Sequence, residues 1–385
     1  MEKITFCIPS KTNLRYLKTA IPSIRKNASR KDHDIIVFVD SDEDGTIEWL
    51  SENAESYGVK YHTNPDLGNS LYGIGRAYDY CIDKAETDIV MIFHADMMLG
   101  KDADYHALKH LKPNSVVCST RIEPPLHPNG GEKILEDFGL YPEEFKESEF
   151  DSYVDTLLVE NSGKTTEGIF APWMVYKEDI QSIGGHDPIM HSCREDSDLF
   201  NRFVLNGFSL IQSWDSLVYH LTGRGAGSFD GDTERHEKWK RDMNNSTKEF
   251  IRKWGSNVKH TKMMKPIIPH KYDIQFRIFN ANEQILNVLE PWCSNIYVDI
   301  PQEKIDEYIK LEQPNTQFNL SERINQELDS DIIVRFDARS LTQNSFNFIQ
   351  NLSEIFDFNE FEIGEYEFDI FNIKVNRVKH YETQL

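Results

Sequence analysis

Short apolar, β-branched runs alternating with segments of helical spacing constrain this chain more than any other feature. Ile4-Thr5-Phe6-Cys7-Ile8, Ile35-Ile36-Val37-Phe38-Val39 and Ile89-Val90-Met91-Ile92-Phe93 are near-continuous, as strands buried on both faces of a parallel sheet are. Val59-Lys60-Tyr61-His62 adds a third, shorter strand between the second and the last of these. Tyr16 to Ile24, Thr46 to Tyr57 and Leu71 to Ala85 carry helical spacing between the strands. Strand–helix alternation at this length gives βαβ units with right-handed crossovers and an open, mostly parallel, Rossmann-like sheet flanked by helices. In such sheets ligands bind beyond the carboxyl ends of the strands. Asp40 and Asp96 are the first acids past two of those ends.

The rest of the chain is less regular. Residues 113–170, rich in Pro, Gly and acids, read as an insertion over the sheet. Trp239, Met243, Phe250 and Trp254 fall at helical spacing and read as a packing face, with Gly255 as its stop. The expected first domain therefore spans residues 1–255. A lysine-rich linker over 256–272 follows, and then a small acidic α/β domain over 273–385. That domain has strand candidates at Ile274–Phe279, Asn295–Ile300, Asp331–Phe336 and Tyr366–Val375. Helix candidates lie at Glu283–Leu289, Glu303–Leu311, Ser321–Leu328 and Phe346–Phe356. Its acidity and aromatic strands fit acceptor recognition or self-association into a homo-oligomer, and the sequence does not choose.

Composition narrows the function classes. A net charge of −22 over 385 residues repels phosphate backbones and anionic headgroups, arguing against nucleic-acid and polybasic membrane binding. A phosphate-bearing small molecule stays admissible, because a metal can supply positive charge locally. The five cysteines are scattered, with no Cys-x-x-Cys pair, and read as small core hydrophobes. No apolar run approaches the ~20 residues of a membrane helix. A reducing, cytoplasmic setting is the default expectation.

Three segments could carry chemistry. His94-Ala95-Asp96 could cap a turn, or bind a divalent ion through nitrogen and oxygen. Arg194-Glu195-Asp196-Ser197-Asp198 could open a helix, whose dipole favours acids in the first turn, or present a general base. His220, followed by Thr222-Gly223-Arg224-Gly225-Ala226-Gly227-Ser228, could precede an ordinary loop. It could also bring a metal ligand, with phosphate donors in Arg224 and Ser228.

In order and spacing, these segments resemble the inverting family-two glycosyltransferases of the GT-A fold. The resemblance runs over roughly residues 3–230, through Pro9-Ser10, Val39-Asp40-Ser41-Asp42, His94-Ala95-Asp96, Gly184-Gly185-His186-Asp187, Glu195-Asp196 and His220. It implies a nucleoside-diphosphate-sugar donor, UDP-linked by first expectation, a glycan or other hydroxyl acceptor, and Mn²⁺ or Mg²⁺. Pro9, Ser10 and Asp40 would line the nucleotide pocket, and Arg224 and Ser228 would contact the diphosphate. Asp96 and His220 would hold the metal, with His94 in place of the family's first aspartate and also able to contact the donor. Asp196 would be the catalytic base, Glu195 would orient the acceptor, and Trp173 would stack on its sugar ring.

Two other readings compete. A sugar-1-phosphate nucleotidyltransferase expects a glycine-rich loop after the first strand, which Pro9-Ser10-Lys11-Thr12-Asn13 lacks. A carbohydrate-binding or assembly protein with a decayed site would bind sugars without Mn²⁺ or nucleotide.

Overall fold

The computed structural model describes residues 2–223, 233–359, 361–377 and 380–381, without the side chains of residues 233, 235, 380 and 381. The chain divides into two compact units. The first comprises Met1–Asp242 with His260–Pro266, and the second Met243–Lys259 with Ile267–Leu385. The division falls inside the helix Thr233–Trp254, whereas the composition shift in the sequence falls just after it.

The first unit begins with β1 (Thr5–Lys11), α1 (Leu14–Asn27), β2 (Asp34–Ser41), α2 (Thr46–Tyr57), β3 (Val59–Thr63), α3 (Ile74–Lys84) and β4 (Ile89–Ile92). These are the elements the alternating pattern predicts. It continues with β5 (Met97–Leu99), α4 (Ala103–Leu108), β6 (Ser115–Glu123), β7 (Lys133–Leu135), α5 (Glu147–Glu160), β8 (Thr165–Glu167), β9 (Trp173–Tyr176), α6 (Lys177–Ser182), α7 (Glu195–Leu205), β10 (Ser209–His220) and α8 (Thr233–Trp254). The sheet order is β3-β2-β1-β4-β9-β6-β10-β5. The β3-β2-β1-β4 half is parallel, whereas β9 runs antiparallel to both β4 and β6. The result is a mixed α/β sheet flanked by helices.

The 113–170 region is no simple insertion. Its β6 sits inside the sheet, buried at all nine positions, between β9 and β10. Ser119, Thr120 and Arg121 break the apolar run but are satisfied locally. Thr120 donates to the Ser213 carbonyl at 2.9 Å, and Ser119 and Ser216 share a 2.7 Å hydrogen bond. Helix α5 covers this half of the sheet through Phe150, Val154 and Leu157, packed with Ile122, Leu217 and Tyr219.

The second unit continues with β11 (Lys271–Tyr272), β12 (Ile274–Phe279), α9 (Glu283–Leu289), β13 (Asn295–Val298), α10 (Gln302–Glu312), β14 (Ile332–Asp337), α11 (Gln343–Gln350), α12 (Leu352–Phe358), β15 (Gly364–Phe368) and β16 (Phe371–Val375). Its main sheet has the order β13-β12-β14-β16-β15. The single strand expected over Tyr366–Val375 is a hairpin, turning at Asp369 with a positive φ of 51°. The helix expected over Ser321–Leu328 is only a short 3₁₀ turn at Leu320–Glu322. There Ile324 bridges to Ile296, and the Asn325 side chain bonds the Val298 backbone from both its atoms. Inside the same unit Arg252 is fully buried between Glu290 and Glu312, at 2.6 Å from each.

Candidate functional site

A cleft of about 670 Å³ opens in the first unit. Pro9, Ser10, Asp40, His94, Asp96 and His220 all line it, so residues far apart in sequence and assigned to donor and metal meet in one place.

Register explains the meeting. Strand β10 pairs antiparallel with β5, setting His220 opposite Met97, and the Leu221 N–H donates to the Asp96 carbonyl at 3.1 Å. A turn with Met97 N–H on the His94 carbonyl, at 3.3 Å, brings His94 beside Asp96. One ligand atom from each of His94, Asp96 and His220 lies within 4.8 Å of the others. On the opposite side of β10, parallel pairing sets Tyr219 against Ile122. Because side chains alternate along a strand, Tyr219 and Ile122 pack under α5 while His220 meets Glu123.

Glu123 is the residue that motif reading does not find. It is 1% exposed, and its Oε1 lies 2.8 Å from His220 Nδ1. Arg121 donates to Oε1 at 2.7 Å and Lys133 to Oε2 at 3.0 Å. Burial alone would raise this carboxyl, but His220, Arg121 and Lys133 outweigh it and hold Glu123 well below the usual carboxylate range. An ionised Glu123 accepts a hydrogen bond from the Nδ1–H of His220 and leaves Nε2, 3.6 Å from Asp96 Oδ1, facing the cleft. A carboxylate behind a histidine in this way orients metal-binding imidazoles.

The two histidines differ in charge. Burial pushes His94 down to about 4, so near pH 7 its ring is neutral with a lone pair to give. Burial also opposes charge on His220, but Asp96 and Glu123 prevail and push it up to about 9. Imidazole nitrogens with a carboxylate oxygen fit a Mn²⁺-like ion, whereas Mg²⁺ prefers oxygen ligands throughout.

Asp40 is already engaged. Its Oδ1 accepts from the Tyr72 N–H at 2.6 Å and Asn64 Nδ2 at 3.0 Å, and its Oδ2 accepts from the Gly73 N–H at 3.1 Å. It thereby ties the 64–73 loop, whose residues Gly68 to Leu71 form cleft wall. Ser10 Oγ is buried in the same lining with no hydrogen-bond partner among the described residues.

Glu195 and Asp196 open α7. Asp198 in the same turn is fully buried and pairs with Arg202 at 2.8 Å, a structural pair. Burial first, and the Asp196 charge second, push Glu195 up to about 8. The half-buried Asp196 accepts from the Ser197 N–H at 2.5 Å, and its charge acts on His94. The Gly184-Gly185-His186-Asp187 segment is pinned by Asp79, which accepts from the His186 N–H at 2.9 Å and contacts its Nδ1 at 2.7 Å.

Trp173 is placed differently from the sequence expectation. It is 2% exposed, edge-on to Phe200 and Phe203, and is not part of the cleft wall, so its face is covered by core. The aromatic wall comes instead from Tyr78, Phe170 and Trp239. Arg224 and Ser228 lie outside the described residues.

Residues 5–161 match the family described as "Glycosyl transferase family 2". That part of the chain is a family-two glycosyltransferase domain, and the match stops short of Glu195, Asp196 and His220. No curated protein matches the chain. Among solved structures, it is similar to S. aureus TarS 1-349 in complex with UDP (14% identity, 56% of this chain and 60% of that one, TM-score 0.41). It is also similar to GalNAc-T7 with UDP, GalNAc and Mn²⁺ (12% identity, 66% and 48%, TM-score 0.45). The chain thus spans about half to three fifths of the length of these structures.

Proposed function

We propose that this protein transfers a sugar from a nucleoside-diphosphate donor, with UDP-sugars first among them, to a hydroxyl of a glycan or other acceptor. The observation that carries the reading is the grouping of His94, Asp96 and His220 in the cleft that Pro9, Ser10 and Asp40 also line. Asp96 and His220, with His94 beside them, would hold a divalent ion, Mn²⁺ in preference to Mg²⁺. Bound there, such an ion supplies positive charge to a departing diphosphate oxygen. Asp40 shapes the nucleotide pocket chiefly by fixing the 64–73 loop. Arg224 and Ser228 are assigned to the diphosphate from the sequence.

Asp196 is the proposed base. It takes the proton of the acceptor hydroxyl as that oxygen attacks the anomeric carbon on the face opposite the leaving group, which inverts the configuration. Its Oδ1 accepts from the Ser197 N–H, which fixes the orientation of the carboxylate. Glu195 seats the acceptor beside it.

The reading is tested by UDP release from a panel of UDP-sugars with Mn²⁺, using wild type and Asp196→Asn. The variant should bind UDP normally and lose about 10²-fold or more in turnover. Undiminished turnover would move the base elsewhere, and a wild type that turns over no nucleotide sugar refutes the reading.

A further inference from the structure

A buried hydroxyl in the cleft wall has nothing among the described residues to bond to. Tyr78 is 3% exposed and lines the cleft, yet its hydroxyl has no hydrogen-bond partner. The same holds for Oε2 of Glu195, whose residue is 9% exposed. Leaving a buried polar group unmatched is destabilising, so native structures rarely keep two as neighbours without a use for them.

The backbone brings the pair together. Gly75 of α3 passes so close to the start of α7 that an added Cβ would stand 3.3 Å from the Glu195 Cβ and 2.8 Å from that of His186. Tyr78 is three residues further along, on the same face of the helix. Its ring stacks on His186 at 5.8 Å and lies 6.5 Å from the ring of His94. Burial, with the charges of Glu195 and Asp96, holds the phenol well above its ordinary range, so it stays an O–H donor. Although neighbours, Tyr78 and Glu195 do not bond each other. A hydroxyl can accept one hydrogen bond and donate another at the same time, so a single sugar hydroxyl set between them would satisfy both.

We propose that the Tyr78 hydroxyl donates to a hydroxyl of the sugar being transferred, with Glu195 on the other side of that hydroxyl, making Tyr78 a specificity-determining residue of the donor site. The inference deepens the proposed glycosyl transfer and rests on it. Glu195, with two oxygens, then touches donor sugar and acceptor together. A sugar lacking that hydroxyl leaves both buried groups unmatched, which is how a polar pocket rejects a deoxygenated analogue.

The test is calorimetric binding of UDP, UDP-glucose, UDP-galactose and UDP-N-acetylglucosamine, with Mn²⁺, to wild type and Tyr78→Phe. The removed hydroxyl bonds nothing among the described residues, so the melting temperature should hold and the Kd for UDP should stay within about twofold. For at least one sugar nucleotide, the Kd relative to that of UDP should rise about five- to thirtyfold, the loss of one hydrogen bond. Equal ratios in the two proteins for every sugar nucleotide would overturn the inference, as would a matching rise for UDP itself. If wild type binds none of the four ligands, the donor-site reading fails and this inference with it.

Discussion

At the scale of single residues, His220 shows how little of a site a motif records. The sequence marks it as a histidine at a strand end, but the orientation of its ring depends on Glu123, 97 positions away. Nothing near Glu123 advertises chemistry; Ser115 to Glu123 reads as a polar stretch because Ser119 and Thr120 find their partners on the neighbouring strand and Arg121 finds its own in Glu123. Glu123→Gln should weaken Mn²⁺-dependent UDP binding by about 10- to 100-fold, the usual effect of losing a carboxylate behind a metal histidine. Titrating Mn²⁺ at fixed UDP in both proteins checks it, with the variant needing more Mn²⁺ for half-maximal binding, and equal Mn²⁺ midpoints in the two would contradict it. That Asp40, Asp96 and His220 share one cleft is legible because clefts in such sheets open at strand ends. Trp173 misleads for the converse reason, since an aromatic near a pocket in sequence looks the same whether its face meets ligand or core.

Among the elements, the long, strongly periodic ones follow from the sequence and the rest follow from contacts. Helix α2 has the bounds its spacing predicts, whereas α3 starts at Ile74 rather than Leu71, because Asp40 captures the Tyr72 and Gly73 N–H groups for the preceding loop. Strand β9 escapes notice because its reversed direction leaves no trace in a four-residue apolar run. The face of α3 matters most for function, and its key residue is a glycine of unremarkable conformation. Gly75→Ala forces a carbon into the 2.8 Å approach to His186, so α3 or the His186 segment must shift. Overpacking of this kind costs about 1–3 kcal/mol, despite the better helix propensity of alanine. A lowered denaturation midpoint with an unchanged m-value would bear this out, and a stabilised variant would show that the contact gives way freely.

For the molecule as a whole, the sequence separates a catalytic unit from an acidic tail but puts the division at a change of composition. The compact units divide inside α8, since Phe250 and Trp254 are buried in a stretch that also carries Arg252 into an ionic cluster with Glu290 and Glu312. Periodicity reads the stripe of α8 as one packing face, but Trp239 lines the cleft. Removing one partner of a buried ion pair costs more than the pair contributes, so the cluster fixes Met243–Lys259 in the C-terminal unit. The acid content of that unit thus has a structural use at Glu290 and Glu312, whatever the exposed acids do. Metal-assisted donor binding in the N-terminal unit is most directly tested by UDP thermal shifts of the full chain, with and without Mn²⁺, in wild type and Asp96→Ala. At UDP near 100 times its Kd, the wild type should gain about 2.7 kcal/mol of stability only when Mn²⁺ is present, and Asp96→Ala should lose that gain while keeping its ligand-free melting temperature. A UDP shift of equal size without Mn²⁺, or one that survives Asp96→Ala, would contradict it.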